Sequence, residues 1–266
     1  MHIHLADRYH AGASWIHTLD PRAKILMVVS FILGVSLAPE GAWLPFAGFF
    51  ILLLWICVAS GLGPTYSVRR SFVAAPFVLA ALTLPFTVPG PTLFTLPVFG
   101  WTASVPGTIR FASIVLRTWL AVQAAILLAA TTPFPDLLWA LSRLRFPGPL
   151  VAVIGFMYRY LFVAADEALR MMRARTARSA QPQAGTGAPR RRPSLVWQGK
   201  VTGNMVGSLF LRSMERSERV YDAMLARGYD GQVRSLTHFH FRLLDAAALA
   251  VTLAAVGGML AWAVAR

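Results

Sequence analysis

The run from Leu243 to Val264 constrains this chain more than any other feature. It is almost all Ala, Val, Leu and Gly, with one charged side chain, Asp245, near its start. A helix crossing the hydrocarbon core of a bilayer needs about 20 apolar residues, with a usable range of about 17–25. A helix apolar on every face must be buried in a large protein or in a membrane. The rest of the chain has no surface with which to bury it in water. Charged residues are 14% of the 266, against about 25% in soluble domains. Hydrophobic residues are 56%, which excludes whole-chain disorder. One cysteine, Cys57, lies inside an apolar run and excludes a disulfide scaffold. What remains is an all-α, polytopic membrane protein.

Four further stretches are candidate spans: Ala23 to Leu37, Trp43 to Ala59, Phe72 to Val88 and Ile109 to Ala130. The first is short and ends at Pro39-Glu40-Gly41. The third contains Pro76 and Pro85, which membrane helices tolerate when neighbours satisfy the freed carbonyls. Bases occur in alternate loops. Arg8, Arg22 and Lys24 precede the first span, Arg69 and Arg70 lie between the second and third, and loops 38–42 and 89–108 have none. The positive-inside rule then places the N-terminus and the long segment 133–242 in the cytoplasm. The expected organisation is a cytoplasmic segment 1–22, a four-helix bundle 23–132, a cytoplasmic domain 133–242 and a last transmembrane helix 243–266. No cleavable signal peptide is expected, because no apolar region precedes the first span. The expected location is the cell (inner or plasma) membrane. Arg117, inside the fourth span, is costly in hydrocarbon. It reads either as a contact with a partner or pathway, or as a snorkelling or internally hydrogen-bonded side chain.

The net charge of +14 sits mostly in 133–242, which hold 17 of the 25 bases and seven of the 11 acids. That concentration reads as a basic cytoplasmic face beside a membrane, with no nucleic-acid partner. Within it, Asp136 to Leu144 is a short amphipathic stretch. A long helix follows from about Leu150 to Arg178, apolar in its first half, with Asp166 and Arg170 at an i,i+4 spacing. It is expected to lie along or dip into the membrane. Residues 181–194, with three prolines and Arg190–Arg192, read as a flexible linker. A second helix is expected from about Val201 to Arg227, ended by Gly228 in the C′ position. The two helices therefore end alike, in Ala177-Arg178-Ser179 and Ala226-Arg227-Gly228. An Arg on a rigid helix end can hydrogen-bond two acceptors of a partner at once. It can equally cap the carbonyls of its own helix.

Three stretches resemble one family: Leu19-Asp20-Pro21-Arg22-Ala23-Lys24, Tyr158-Arg159-Tyr160-Leu161, and the run from Glu215 to Tyr229. They look like CbiQ, the transmembrane (T) component of energy-coupling factor importers in the cobalt branch. The resemblance implies an L-shaped helical protein with about five transmembrane helices and long cytoplasmic coupling helices. Ala177, Arg178, Ser179, Ala226, Arg227 and Gly228 would dock on two CbiO-like ATP-binding subunits. A membrane substrate-binding subunit, CbiM-like with CbiN-like as a further candidate, would receive the motion. The implied role is cobalt uptake feeding cobalamin synthesis, with a nickel or vitamin importer as the alternative. Ser179 departs from the Ala-Arg-Gly form, a variation that the family allows.

The chain itself is not expected to be an enzyme or to need a cofactor. Gly199-Lys200 is followed by Val201 rather than a hydroxyl residue, and no phosphate-binding glycine loop precedes it. A membrane-embedded enzyme would need paired ionisable groups at facing depth, and the spans offer only Arg117 and the marginal Asp245. A secondary transporter would show broken helices at midplane, for which Pro76 and Pro85 are slight support. His2, His4, His10 and His17 cluster near the N-terminus, and His is a good Co²⁺ or Ni²⁺ ligand. They read as a cytoplasmic tail rather than a metal site, and His238 and His240 as interfacial packing.

Overall fold

The computed structural model describes residues 9–10, 12, 14–63, 66, 68, 71–96, 101–179, 194–231 and 239–265. Linker residues 181–193, the histidines His2, His4 and His238, and Arg8, Arg69 and Arg70 lie outside them. The helices are α1 (Trp15–Thr18), α2 (Pro21–Leu37), α3 (Trp43–Ala59), α4 (Ala75–Ala81), α5 (Leu84–Thr87), α6 (Val105–Thr131), α7 (Phe134–Arg143), α8 (Gly148–Ser179), α9 (Leu195–Leu225) and α10 (Leu243–Val264). A small antiparallel hairpin, β1 (Thr92–Leu96) with β2 (Trp101–Ser104), precedes α6. Leu96 pairs with Trp101, and an irregularity falls between Thr92 and Phe94. The chain divides into two compact units. One holds the described residues up to Leu144 together with those from Phe239 onward. The other runs from Arg145 to Gly231.

The first unit is a helical body. Phe31, Val35, Phe46, Phe49, Leu53, Leu120, Leu127 and Val256, from α2, α3, α6 and α10, form its core. The same helices carry apolar side chains outward. On α2, Leu26, Val29, Leu33 and Leu37 are exposed, and on α3 so are Ile51, Trp55 and Val58. Helices apolar on both faces are what a lipid solvent requires. Helices α6 and α10 are long and apolar enough to cross a membrane, and α3 and the broken segment Ser71–Thr87 are shorter apolar pieces. Helix α8 meets the same length and composition standard. It carries Arg159 within its apolar first half, a costly residue in hydrocarbon.

The third expected span is not one helix. A 3₁₀ turn, Ser71–Ala74, leads into α4, which stops at Ala81; α5 restarts at Leu84. Proline cannot donate a hydrogen bond, and its ring clashes with the carbonyl four residues back. For Pro85 that residue is Ala81, where α4 ends. The α5 backbone then lies so close to α6 that a Cβ on Gly107 would sit 2.7 Å from the Leu84 carbonyl oxygen. Ser104 starts α6: its hydroxyl donates to the Val88 carbonyl at 2.6 Å and accepts from the Gly107 N–H at 3.2 Å.

Buried polar groups fasten both ends of α2. Asp20 caps its start by accepting from the Arg22 N–H at 2.8 Å. The Asp20 N–H donates to Asp245 Oδ1 at 2.9 Å, and Asp245 Oδ2 accepts from the Arg242 N–H at 2.7 Å. Lys24 Nζ donates to the carbonyls of His17 (3.1 Å) and Thr131 (3.2 Å). The starts of α2 and α10 and the end of α6 are thereby tied together. Arg22 lies 4.3 Å over the Trp139 ring, which brings α7 to the same end. At the other end of α2, Arg117 donates to the Ala38 carbonyl. Arg110 pairs with Glu40 at 2.8 Å, and the Gly41 N–H donates to Ser113 Oγ at 3.0 Å. The hydrogen-bonded alternative for Arg117 is the one observed.

Candidate functional site

The second unit is an antiparallel pair of long helices. Glu167, on α8, accepts from Arg216 at 2.6 Å and from Arg212 at 3.3 Å, both on α9. Nearer the C-terminal end of α8, Arg175 donates to Thr202 Oγ1 at 3.2 Å. As α8 advances from 167 to 175, its partners on α9 retreat from 216 to 202. The arginine hydrogen bonds hold the Glu167 carboxyl below the usual carboxylate range, Arg216 first and Arg212 second. Asp166 and Arg170 make no ion pair among the described residues, although their spacing predicted one. The carboxylate next to Asp166 faces the partner helix instead.

The antiparallel arrangement carries the two Ala-Arg signatures to opposite ends of the pair. Arg178 is the penultimate residue of α8, and Ala177 beside it is exposed. Arg227 closes α9. The Gly228 N–H donates to the Leu225 carbonyl at 2.9 Å and the Tyr229 N–H to the Met224 carbonyl at 3.0 Å. Gly228 has φ +79°. These are the paired bonds of a Schellman ending, with glycine in the left-handed position that a side chain resists. Ala226, Arg227 and Gly228 are all exposed. Ser179 is the last residue of α8.

Each signature arginine borders a groove. Arg178 shares one of about 720 Å³ with Glu167, Arg175, Trp197 and Met205. Arg227 shares one of about 340 Å³ with Phe156, Arg159, Tyr160 and Tyr229. The structure thus brings Arg159 and Tyr160 of the second sequence motif against the third motif. From Arg159 to Arg178, α8 advances about 30 Å at ~1.5 Å per residue. Sequence reasoning missed Glu167 and Trp197. Trp197 went unread because α9 begins at Leu195, six residues before the expected Val201. The signal was Ser194, whose Oγ accepts from the Trp197 N–H at 3.3 Å as an N-cap. Helix α9 buries none of its residues, and Val196, Val206, Phe210, Leu211 and Met214 are exposed. Apolar exposure on that scale marks an interaction surface.

Among the described residues no three His, Cys, Asp or Glu side chains are grouped to hold a metal ion. His17 is tied down, its Nδ1 2.6 Å from Ser14 Oγ and its Nε2 3.1 Å from the His10 carbonyl oxygen. The ring of His10 stacks edge-on against Tyr66.

Comparison with known proteins adds the following. The family profile described as "CbiQ: Cobalt transport protein" matches residues 12–239. The cobalt transport protein CbiQ of Rhodobacter capsulatus is 30% identical over 89% of this chain and 89% of its own length. The energy-coupling factor transporter transmembrane protein EcfT of Listeria innocua is 28% identical over 97% of each. EcfT of Exiguobacterium sibiricum is 29% identical over 85% of this chain and 86% of its own.

Proposed function

The chain belongs to the CbiQ family of transporter membrane components, and from that premise we propose that it couples ATP hydrolysis by two partner subunits to cobalt import. The partners are CbiO-like ATP-binding subunits and a CbiM-like substrate-binding membrane subunit, with CbiN-like as a further candidate. Imported Co²⁺ feeds cobalamin synthesis. The chain is a multi-pass component of the cell membrane with its N-terminus in the cytoplasm, and it has no catalytic residue of its own.

One observation carries this reading: Ala177-Arg178-Ser179 and Ala226-Arg227-Gly228 occupy opposite ends of an antiparallel helix pair, each beside a groove. Antiparallel helices exchange under a two-fold rotation, so the two ends present nearly equivalent docking points. An ATPase dimer offers two equivalent sites related in the same way. The small Ala177 and Ala226 leave room for a partner surface close to each helix end. Arg178 and Arg227 supply the directional, bidentate contacts. When the ATPases close on nucleotide and reopen after hydrolysis, α8 and α9 move as rigid rods, because packed helices shift without deforming. The apolar helical body passes that motion to the substrate-binding subunit.

The test is the double variant R178A/R227A in the assembled transporter. Expected results are loss of labelled-cobalt uptake and weakened retention of the ATPase subunits, with normal membrane insertion. Full uptake with stoichiometric ATPase retention refutes the docking role. A T component of a nickel or vitamin importer is the second reading, favoured by the relatives named only for energy-coupling factor transport. It keeps every residue role, and competition between the candidate cargoes in the same uptake assay separates the two.

A further inference from the structure

The two ends of the helix pair are alike in direction and unlike in charge. Where the end of α8 lies beside the start of α9, the chain carries Arg170, Arg173, Arg175, Arg178 and Lys200. From Arg170 to Ser179 and from Leu195 to Ser208 it has no carboxylate. At the other end the bases are interleaved with acids: Arg159 with Asp166 on α8, and Arg219 and Arg227 with Glu215, Glu218 and Asp222 on α9. Glu167 lies between the halves, and its carboxylate is already taken by Arg212 and Arg216.

Helix dipoles do not account for this surplus. Cations gain from a helix C-terminus only within its last turn, and Arg170 lies well before the last turn of α8. Because the pair is antiparallel, the positive pole of α9 lies beside the negative pole of α8 and offsets it. Arg170, Arg175 and Arg178 line one groove, of about 720 Å³, together with the half-exposed Trp197. Arg175 spends one of its five donors on Thr202 Oγ1. Among the described residues none of the three has a carboxylate at ion-pair distance. The smaller groove at Arg227 is instead walled largely by aromatic rings, those of Phe156, Tyr160 and Tyr229.

We propose that the groove beside Arg178 takes a carboxylate-bearing segment of one ATP-binding subunit, held by Arg170, Arg175 and Arg178 against Trp197, and that the two docking points are therefore electrostatically unequal. The inference rests on the docking role of the two signatures and adds the chemistry of the partner at one of them. An acidic side chain inserted into a concave site reaches all three guanidinium groups, whereas a flat headgroup surface meets only its rim. Arginine and tryptophan together are the residue types that anchor interfaces. Charge of one sign in a cleft steers an oppositely charged partner and makes its attachment sensitive to salt. Attachment at Arg227, among aromatic rings and mixed charges, depends on salt far less.

The test is retention of the ATP-binding subunits by the tagged full chain in detergent, from about 50 mM to about 0.5 M salt, over which the Debye length falls about threefold. R227A leaves the α8 end as the anchor, and its retention should fall about tenfold or more across that range. R170Q/R175Q/R178Q leaves the α9 end as the anchor, and its retention should change less than about twofold. R170K/R175K/R178K keeps the charge and should restore the salt dependence. W197A should weaken retention by a similar factor at every salt concentration. Equal salt dependence in R227A and R170Q/R175Q/R178Q, no restoration by the lysine variant, or unchanged retention in W197A overturns the proposal. If R178A/R227A abolishes retention while the two salt dependences are equal, the docking role stands and this inference falls. Full retention in R178A/R227A defeats both.

Discussion

Asp245→Ala is the sharpest test of how the body is held together. The carboxylate is buried, at 2% exposure, and accepts from two backbone N–H groups, those of Asp20 and Arg242. Each of those peptides starts a helix, so neither N–H has a helical acceptor. Alanine strands both donors, and a buried unsatisfied donor costs about 1–3 kcal/mol. Loss of a negative charge in the first turn of α10 adds about 0.3–1 kcal/mol. Two donors and the charge together give an expected destabilisation of roughly 2–7 kcal/mol. Asn keeps one acceptor oxygen but turns an amide N–H toward the second donor, so Asp245→Asn should lose about half as much. The assay is reversible denaturant unfolding of the purified chain in detergent, followed by tryptophan emission. If Asp245→Ala unfolds within about 0.5 kcal/mol of the parent, the level of an ordinary surface substitution, the junction of α2 and α10 does not depend on this carboxylate.

Gly34→Leu should destabilise the body by about 1–3 kcal/mol through overpacking, because a Cβ there would lie 2.4 Å from Val256 Cγ1; the same unfolding assay reads it. Gly228→Ala should cost about 1–2 kcal/mol for left-handed backbone and fray the end of α9, seen as faster amide exchange at Met224 to Arg227. Acid should loosen the α8–α9 pair. Glu167 titrates below its unfolded value, so its stabilisation is present above the ordinary carboxylate pKa of about 4.3 and is lost as pH falls through the lowered folded value. Spin labels on the two helices should report a broadened distance distribution only at the acid end, and Glu167→Gln should show it at neutral pH. A sharp distance at neutral pH in Glu167→Gln counts against the clamp.

The sequence made the apolar helices readable because lipid demands length and composition, both of which are local properties. Leu243–Val264 and Trp43–Ala59 appear with the boundaries that their composition suggests. Pro85 announced a weakness in the third span but not its form. Whether a proline kinks or ends a helix depends on what satisfies the freed carbonyls, and here the chain breaks at Ala81 and packs α5 on α6 instead. The Arg117 alternatives could not be separated from sequence, since its acceptor, the Ala38 carbonyl, is far along the chain. The signature ends of α8 and α9 were visible as repeated Ala-Arg. Their placement at opposite ends of one pair was not, because direction is a property of packing. Glu167 stayed hidden for the same reason: its i,i+3 and i,i+4 neighbours gave no hint of partners 45 and 49 residues away.

The two units are built to different standards, and the difference bears on the proposed function. The body has a close-packed core and buried polar ties at both ends of α2. The helix pair has a nearly bare interface, fastened mainly by one carboxylate shared between two arginines. Such an ion cluster, exposed on one side, contributes only modest stability, so acid or the loss of Glu167 is enough to loosen the pair. Glu167 also lies between Arg159 and Arg178, about 12 Å from the former and 16 Å from the latter at ~1.5 Å per residue. Rods fastened near the middle and free at their ends can swing about the fastening with little loss of contact. A force applied at Arg178 and at Arg227 would then change the crossing angle of α8 and α9 rather than shear them apart. A well-packed apolar interface would resist that rotation, because ridges seated in grooves hold a fixed angle. The sparse interface is therefore what a lever pair requires, and the exposed apolar side chains of α9 are the surface left free for a partner to cover.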